Sequence, residues 1–258
     1  MKEERERLDL LLVQKGLVPS RAKAQALILA GQVRVNGVLL DKPSTAVPKD
    51  AKIEIVSPPK YVSRGGEKLE AALRAFGVSP EGKVCLDIGA STGGFTDCLL
   101  QHGAARVYAV DVGKGQLHWK LRQDPRVVVK EGLNARYLRP EDIGEPVDLV
   151  TIDVSFISLC LILPPLQEIV RPSGDIVSLV KPQFEAGKEK VKKGVVRDPA
   201  VHREVLVRLY KFIESLGWSV VDAIPSPIFG PKGNREFFLN IVPRKGEGKG
   251  LFWEKLGL

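Results

Sequence analysis

Apolar positions in the first part of the chain predict two short helices. Residues 8–16 and 21–30 carry apolar side chains at helical spacing, and each run ends at a glycine, Gly16 or Gly31. Ser20 directly precedes the second run and is suited to cap that helix. The residues of the second helix that we expect to face inward are Ala24, Leu27, Ile28 and Ala30.

Short runs of β-branched residues then predict a small sheet. Residues 33–35 and 38–40 flank Asn36-Gly37, a dipeptide typical of a tight hairpin, and residues 52–56 predict a further strand. The segment Ser57-Pro58-Pro59-Lys60 that follows predicts a stiff linker. We therefore place one domain at residues 1–60 and a second at residues 61–258.

Beyond residue 83 the chain alternates between strand-like and helix-like segments. The seven strand-like runs lie at residues 84–88, 106–112, 127–131, 147–153, 175–181, 218–224 and 236–242. Alternation of this kind predicts an α/β fold with a doubly wound sheet, in which a ligand lies beyond the carboxyl ends of the strands. The polar and glycine residues expected at those ends are Asp87 to Gly94, Asp111, Asn134, Asp153 and Lys181.

A glycine-rich turn, DIGASTGGF at residues 87–95, follows the first of these strands. Its spacing differs from the Gly-x-Gly-x-x-Gly of dinucleotide sites, and it resembles motif I of S-adenosylmethionine-dependent methyltransferases. Asp111 is suited to accept hydrogen bonds from ribose hydroxyls, which fits NAD equally well. A seventh strand that follows the sixth after a tight loop favours a methyltransferase sheet. A turn that uses glycine for geometry alone remains the other alternative.

Charge is unevenly distributed along the chain. The net charge is +8, and residues 1–60 contain 11 basic and 7 acidic residues, so half of the excess lies in under a quarter of the sequence. This asymmetry favours a small module that binds a polyanion, with a merely basic, soluble surface as the alternative. A hydrophobic content of 44% excludes wholesale disorder.

Cysteine and histidine usage indicates a reducing compartment and no metal site. Cys85, Cys98 and Cys160 are far apart and lie in apolar runs, and the three histidines are scattered. The N-terminal segment lacks the apolar stretch of a signal peptide, and no run approaches the ~20 residues needed to span a bilayer. We expect a soluble, cytoplasmic monomer without a metal.

The string SRAKAQALILAGQVRVNG, with two helices before a small sheet, resembles the S4 RNA-binding domain. The resemblance implies that the second helix and the loop after it lie against structured RNA. Arg21 and Lys23 share the first turn of that helix, where backbone amides favour phosphate. The expected RNA-binding residues are Arg7, Arg21, Lys23, Arg34 and Lys42.

Four polar residues resemble the Lys-Asp-Lys-Glu tetrad of FtsJ-like RNA 2′-O-methyltransferases. They are Lys68 in SRGGEKL, Asp153 in TIDVSFIS, Lys181 in LVKPQFE and Glu236 in GNREFFL. Together with LDIGASTGGFTD, DVGKGQL and DLVTIDVSFISL, these strings resemble the TlyA family, often called hemolysin A, over roughly residues 7–243.

This resemblance implies methylation of cytidine ribose in ribosomal RNA of the large subunit, and of the small subunit in some members. The implied cofactor is S-adenosylmethionine and the implied partners are ribosomal RNA or ribosomal subunits. The cofactor-binding residues that it implies are Asp87, Gly89, Ala90, Ser91, Thr92, Gly93, Gly94, Phe95, Asp111 and Asn134. We expect Lys181 to accept the hydroxyl proton, with Lys68 as the neighbouring cation and Asp153 and Glu236 as orienting groups.

Three other classes stay open at this point: a non-catalytic S4-type RNA-binding protein, a membrane-active hemolysin, and a methyltransferase that acts on bases or on protein. Two further features bear on the family pattern. Tyr61 occupies a linker position where some members carry tryptophan, and the glycine-rich tail after Pro243 is short, which favours large-subunit activity alone.

Overall fold

The computed structural model describes residues 4–56, 59–246 and 253–258. The chain divides into two compact units, Met1–Lys60 and Tyr61–Leu258. Ser57 and Pro58 of the predicted linker lie outside the described residues.

The first unit contains two helices and five short strands. The helices are α1 (Leu8–Gln14) and α2 (Arg21–Leu29), and the strands are β1 (Arg5–Arg7), β2 (Val33–Val35), β3 (Val38–Leu39), β4 (Ala46–Pro48) and β5 (Ile53–Ile55). An antiparallel sheet has the order β3-β2-β5, and β1 pairs separately with β4. The pair β1–β4 was not predicted, because the sequence of β1, RER, has no apolar alternation.

Local signals at the ends of these elements are confirmed. The Ser20 side chain accepts a hydrogen bond from the Lys23 amide at 3.3 Å, which caps α2. Asn36 and Gly37 have φ angles of 50° and 82°, the left-handed pair that a tight two-residue hairpin requires. The expectation that Ala30 packs inward was wrong: it is exposed at the end of the helix, while Ala24 and Ile28 are buried.

The second unit is an α/β domain around a seven-stranded sheet. Its helices are α3 (Gly65–Phe76), α4 (Gly94–Gln101), α5 (Trp119–Arg122), α6 (Pro140–Ile143), α7 (Leu159–Ile162), α8 (Pro182–Glu185), α9 (Pro199–Ser215) and α10 (Trp253–Leu256). Its strands are β6 (Val84–Ile88), β7 (Arg106–Asp111), β8 (Val127–Glu131), β9 (Val147–Ile152), β10 (Val170–Val180), β11 (Ser219–Pro225) and β12 (Phe237–Val242). All seven predicted strands are thus confirmed.

The sheet has the order β11-β12-β10-β9-β6-β7-β8, and β12 alone runs against its neighbours. Because β12 is reversed, its first residue lies at the edge where the parallel strands end, and Phe237 stands opposite Val180. The predicted tight loop before this strand was wrong. The connection spans residues 226–236 and contains a 3-10 turn at Pro231–Gly233.

Apolar side chains fill the space on both faces of the sheet. Leu86 and Ile88 point to one layer with residues of α7 and α9, whereas Cys85 points to the other layer with residues of α3 and α4. Strands buried on both faces have nearly continuous apolar sequences, which is why the sequence located them well. In the described part of the chain, no helix combines the length and apolar character needed to cross a membrane.

Candidate active site

Strand topology brings three residues of the predicted tetrad to one edge of the sheet. Asp153 follows β9, Lys181 follows β10, and Glu236 precedes the reversed strand β12. Lys68 reaches the same edge from the first turn of α3. The structure thus brings the four residues to one edge of the sheet, and their joint role in catalysis stays a prediction.

The four side chains form two ion pairs. Lys68 Nζ lies 2.6 Å from Glu236 Oε2, and Lys181 Nζ lies 2.5 Å from Asp153 Oδ1. Lys181 Nζ also donates a hydrogen bond to Ser155 Oγ at 3.0 Å. Each lysine thus contacts a carboxylate, so the contacts do not support the expected role of Lys68 as the cation beside Lys181.

Glu236 is buried with only one of its oxygens satisfied. Its side chain is fully buried, and among the described residues Oε1 has no hydrogen-bond partner. A Cβ atom added at Gly230 would lie only 2.0 Å from Oε1, so this glycine leaves room for the carboxylate. A buried carboxylate oxygen without a donor is energetically costly, and groups of this kind are concentrated at functional sites.

Two cavities meet beside the tetrad. One, of about 280 Å³, is lined by Lys68 and Asp153, by the glycine loop and by residues 228–231. The other, of about 380 Å³, is lined by Asp111, Asn134 and apolar side chains on either side of them. The residues common to both linings are Gly89, Ser91 and Asp153. The second cavity therefore leads directly to the carboxylate that holds Lys181.

Asp87 is not placed where the sequence suggested. It is fully buried and lines neither cavity, and its carboxylate accepts hydrogen bonds from Thr96 at 2.7 Å and Thr151 at 3.0 Å. Burial raises the pKa of this carboxyl group to about 7. The prediction that Asp87 binds the cofactor directly is corrected to a structural role, because it joins β6 to β9 and α4.

Two glycines of the loop each lie where a side chain would collide with a neighbouring residue, and the neighbour differs between them. Gly89 has φ +82°, and a Cβ there would lie 2.2 Å from the Asp153 carbonyl oxygen, so it permits close packing under the site. Gly93 has φ +98°, and its Cβ would lie 2.2 Å from Leu121 Cδ1. A side chain at this position would therefore collide with the core, and the prediction that Gly93 contacts the cofactor stays a prediction.

Other predicted cofactor residues do line the cavities. Ala90, Thr92, Gly94 and Phe95 line the first cavity, and Asn134 lines the second. Asp111 accepts hydrogen bonds from the amides of Ser91 and Gly113 at 2.8 and 2.7 Å. These bonds fix the carboxylate at the rim of the second cavity, where each oxygen retains a further lone pair.

Several residues around the site were missed by the sequence analysis. Ser63 and Arg64 line the first cavity together with Phe229, and Ser155 and Phe156 line the second. Phe156 is 89% exposed and has φ +63°, a conformation that side-chain-bearing residues rarely adopt. Ser63 and Arg64 stand in the same short string as Lys68, and Ser155 and Phe156 in the same string as Asp153, which was the available signal. Phe229 lies outside the string that contains Glu236.

The predicted RNA-binding residues of the first unit fall into two groups. Arg7 and Arg21 each place Nε on the fully buried Asp9 carboxylate, at 3.0 and 2.9 Å, and Gln25 donates to it at 3.0 Å. These contacts, above all the hydrogen bond from Arg7, hold the pKa of Asp9 well below its usual range. The other predicted side chains, Lys23, Arg34 and Lys42, are exposed.

No three His, Cys, Asp or Glu side chains are grouped so as to hold a metal ion within residues 4–56, 59–246 and 253–258. Cys85, Cys98 and Cys160 carry no disulfide. The charged groups that the structure brings together in the tetrad are lysines and carboxylates.

Comparison with known families supports the same division of the chain. Residues 61–241 match the FtsJ-like methyltransferase family, and residues 6–53 match the S4 domain. The class of protein is thus an FtsJ-like methyltransferase that carries an N-terminal S4 domain.

Individual relatives narrow this class. Bacillus subtilis YqxC, provisionally described as an rRNA methyltransferase, is 53% identical, with 99% of this chain and 93% of that protein covered. The 16S/23S rRNA (cytidine-2′-O)-methyltransferase TlyA of Mycobacterium tuberculosis is 50% identical, with 91% and 89% covered. A solved Streptococcus thermophilus structure, provisionally described as a hemolysin, has a TM-score of 0.74 at 45% identity, with 95% and 91% covered. The chain belongs to the TlyA family.

The family assignment implies S-adenosylmethionine as the methyl donor, and the residues of the second cavity fit this molecule. Leu133 and Ile157 would provide apolar surface for an adenine ring, and Asp111 would provide a carboxylate for ribose hydroxyls. The first cavity, which shares Gly89, Ser91 and Asp153 with the second, is also lined by Lys68.

Proposed function

We propose that the protein transfers a methyl group from S-adenosylmethionine to the ribose 2′-hydroxyl of cytidine in ribosomal RNA, of the large subunit in the first place. The observation that carries the proposal is the pair of lysine–carboxylate contacts at the edge of the sheet, beside two joined cavities. The rRNA cytidine-2′-O-methyltransferase named among the relatives supports the choice of substrate.

The division of labour follows the two units. Residues 1–60 form the RNA-binding domain and residues 61–258 the methyltransferase domain. The exposed cations of the first unit supply phosphate contacts, and Arg7 and Arg21 are oriented for the same purpose by Asp9. We expect the enzyme to act as a cytoplasmic monomer, on ribosomal subunits or their RNA, without a metal.

In the proposed reaction the cofactor supplies a methyl group that is activated by a positively charged sulfur. The chain must align the hydroxyl and remove its proton as the oxygen–carbon bond forms and the carbon–sulfur bond breaks. Lys181 must be in its neutral amine form to accept that proton, and Asp153 and Ser155 hold its nitrogen in place. Lys68 lines the first cavity, is held by Glu236 and positions the substrate.

The experiment is methyl transfer by the purified protein from labelled S-adenosylmethionine to large subunits, small subunits and protein-free ribosomal RNA. We expect label on ribose 2′-oxygens of cytidine, found by digestion to nucleosides. Label on a base or on ribosomal protein would contradict the proposal. Absence of transfer to every substrate, with cofactor binding intact, would favour the non-catalytic RNA-binding alternative.

A further inference from the structure

The contacts of Lys181 depend on a single loop. Asp153 and Ser155, which both touch its amine, lie in residues 153–158 between β9 and α7. This segment contains neither helix nor strand. Its conformation therefore sets the distance between Lys181 and the two groups that hold it.

The far end of this loop is held by Glu185, the last residue of α8. Glu185 Oε2 accepts a hydrogen bond from Ser158 Oγ at 2.8 Å, and Oε1 accepts one from the Leu159 amide at 2.8 Å. Lys181 immediately precedes α8. One short helix thus holds the loop at both ends, through Lys181 and through Glu185.

Glu185 is itself firmly fixed. Arg208 of α9 donates from Nη2 to the Glu185 carbonyl oxygen at 2.6 Å and to Oε2 at 3.0 Å. The Glu185 side chain is almost completely buried, and burial raises the pKa of its carboxyl group. Both carboxylate oxygens are used, so the group cannot turn without breaking a bond to the loop.

The loop is also under backbone strain. Phe156 adopts φ +63°, and its ring packs against Phe184 of α8 with a centroid distance of 4.6 Å. A residue with a side chain rarely adopts this conformation and keeps it only where the surrounding structure holds it. Here α8 contacts the loop through Phe184 at Phe156 and through Glu185 at Ser158 and Leu159.

We infer that Glu185 is a positioning residue, which fixes loop 153–158 and thereby sets the approach of Asp153 and Ser155 to Lys181. The inference rests on the proposed function, because it takes Lys181 as the proton acceptor. Glu185 lines neither of the two cavities that meet beside the tetrad, so it acts through the loop.

The test is Glu185→Gln in the full-length protein. The amide keeps the size of the side chain and one acceptor oxygen, but its NH2 group faces either the Leu159 amide or the Ser158 and Arg208 donors, so at least one bond is lost. With cofactor and ribosomal subunits saturating, we expect the single-turnover rate to fall by about tenfold to hundredfold, as for a small misplacement of reacting groups. Affinity for RNA should stay unchanged.

Glu204→Gln is the matched control. Glu204 lies on α9, is exposed and pairs with Lys190 at 2.6 Å, so the same charge is removed from the neighbouring surface without contact to the loop. Its rate should equal that of the wild type. A Glu185→Gln protein that melts at a lower temperature but transfers methyl at the control rate would show a merely structural role and overturn the inference.

A second measurement is independent of activity. Amide hydrogen exchange in residues 153–159 should become faster in Glu185→Gln and, to a smaller extent, in Ser158→Ala. Ser158→Ala removes one of the two bonds between Glu185 and the loop, and it replaces Glu185→Gln in this test if that variant does not fold. Unchanged exchange in both would overturn the inference. Failure of the wild type to transfer methyl would instead reject the proposed function.

Discussion

Each unit of the protein buries a carboxylate against cations, but the two carboxylates differ in whether both of their oxygens have hydrogen-bond partners. Asp9 in the first unit receives donors from Arg7, Arg21 and Gln25 and has no exposed surface. Glu236 in the second unit contacts Lys68 through one oxygen, and the other oxygen has no hydrogen-bond partner among the described residues. One carboxylate is satisfied and the other is not.

The difference separates two uses of the same chemistry. A satisfied buried carboxylate orients the arginines around it, and their side chains remain partly exposed, by 42% and 53%. An unsatisfied one costs stability and is retained where a site needs it. We therefore expect Asp9 to hold Arg7 and Arg21 where they contact RNA phosphates, and the tetrad to take part in the methyl-transfer reaction.

The largest expected effect is the loss of activity in Lys181→Ala and in Asp153→Ala. Removing a general base or the group that holds it should lower the rate of methyl transfer by about 10²- to 10⁴-fold. RNA affinity should change little, since both residues lie in the second unit. Each substitution leaves one partner of a largely buried ion pair alone, so the free energy of unfolding should also fall, and rates are compared on folded protein. The measurement is single-turnover transfer, with Lys211→Ala on the exposed face of α9 as control. Near-normal turnover in Lys181→Ala would remove its assignment as base.

Next in size is the cost of isolating Glu236. Lys68→Met leaves a buried carboxylate without its cation and should lower the free energy of unfolding by about 3–5 kcal/mol. Lys68→Met combined with Glu236→Gln should recover much of that loss. Arg21→Ala is the comparison in the first unit, where Arg7 and Gln25 still satisfy Asp9, and it should cost only about 1 kcal/mol. Equal losses in denaturant titrations would erase the contrast between the two carboxylates.

A third effect is the pH dependence of the first unit. Because contact with Arg7, above all, lowers the pKa of Asp9 in the folded state, its stabilisation is complete above the unfolded value of about 4 and is lost as pH falls through the folded value. Asp9→Asn should therefore be less stable than the wild type by about 2 kcal/mol at pH 7. The difference should shrink below pH 4. Hydrogen exchange of α1 and α2 reports it, and a difference that grows on acidification would contradict the ion-pair account.

The smallest expected effect concerns RNA binding. Lys23→Glu should weaken binding to ribosomal RNA several-fold. It should also make the slope of log affinity against log salt concentration less steep by about 1, because one phosphate contact is lost and one fewer counterion is released. Arg21→Glu should do the same and also loosen the Asp9 cluster. Affinity at several salt concentrations measures both variants. Slopes identical to the wild type would mean that these residues are solvated surface charges.

The strands and helix ends were accessible to sequence reasoning because their causes are local. Central strands such as β6 and β9 are buried on both faces, so their apolar runs stand out. Ser20 and Asn36-Gly37 act on backbone groups one to three residues away. By contrast, β1 and β4 are three-residue strands that pair 41 positions apart, and their stability comes from tertiary contact.

The candidate site shows the same division in its chemistry. Sequence strings were sufficient to name Lys68, Asp153, Lys181 and Glu236, and the alternating pattern was sufficient to place three of them near strand ends. Which lysine meets which carboxylate was not accessible, because Lys68 and Glu236 are 168 residues apart and meet through the reversal of β12.

Burial decided the remaining roles. The sequence determined that an acidic residue lies near the end of β6 and that three glycines occupy the turn after it, but the same residue types serve ligand contact and core packing equally well. The tertiary structure placed Asp87 inside the domain and packed Leu121 where a side chain at position 93 would lie. It also brought Glu185 to the loop that holds Lys181. A residue's type is fixed by the sequence alone, whereas its solvent exposure and its partners depend on every element packed around it.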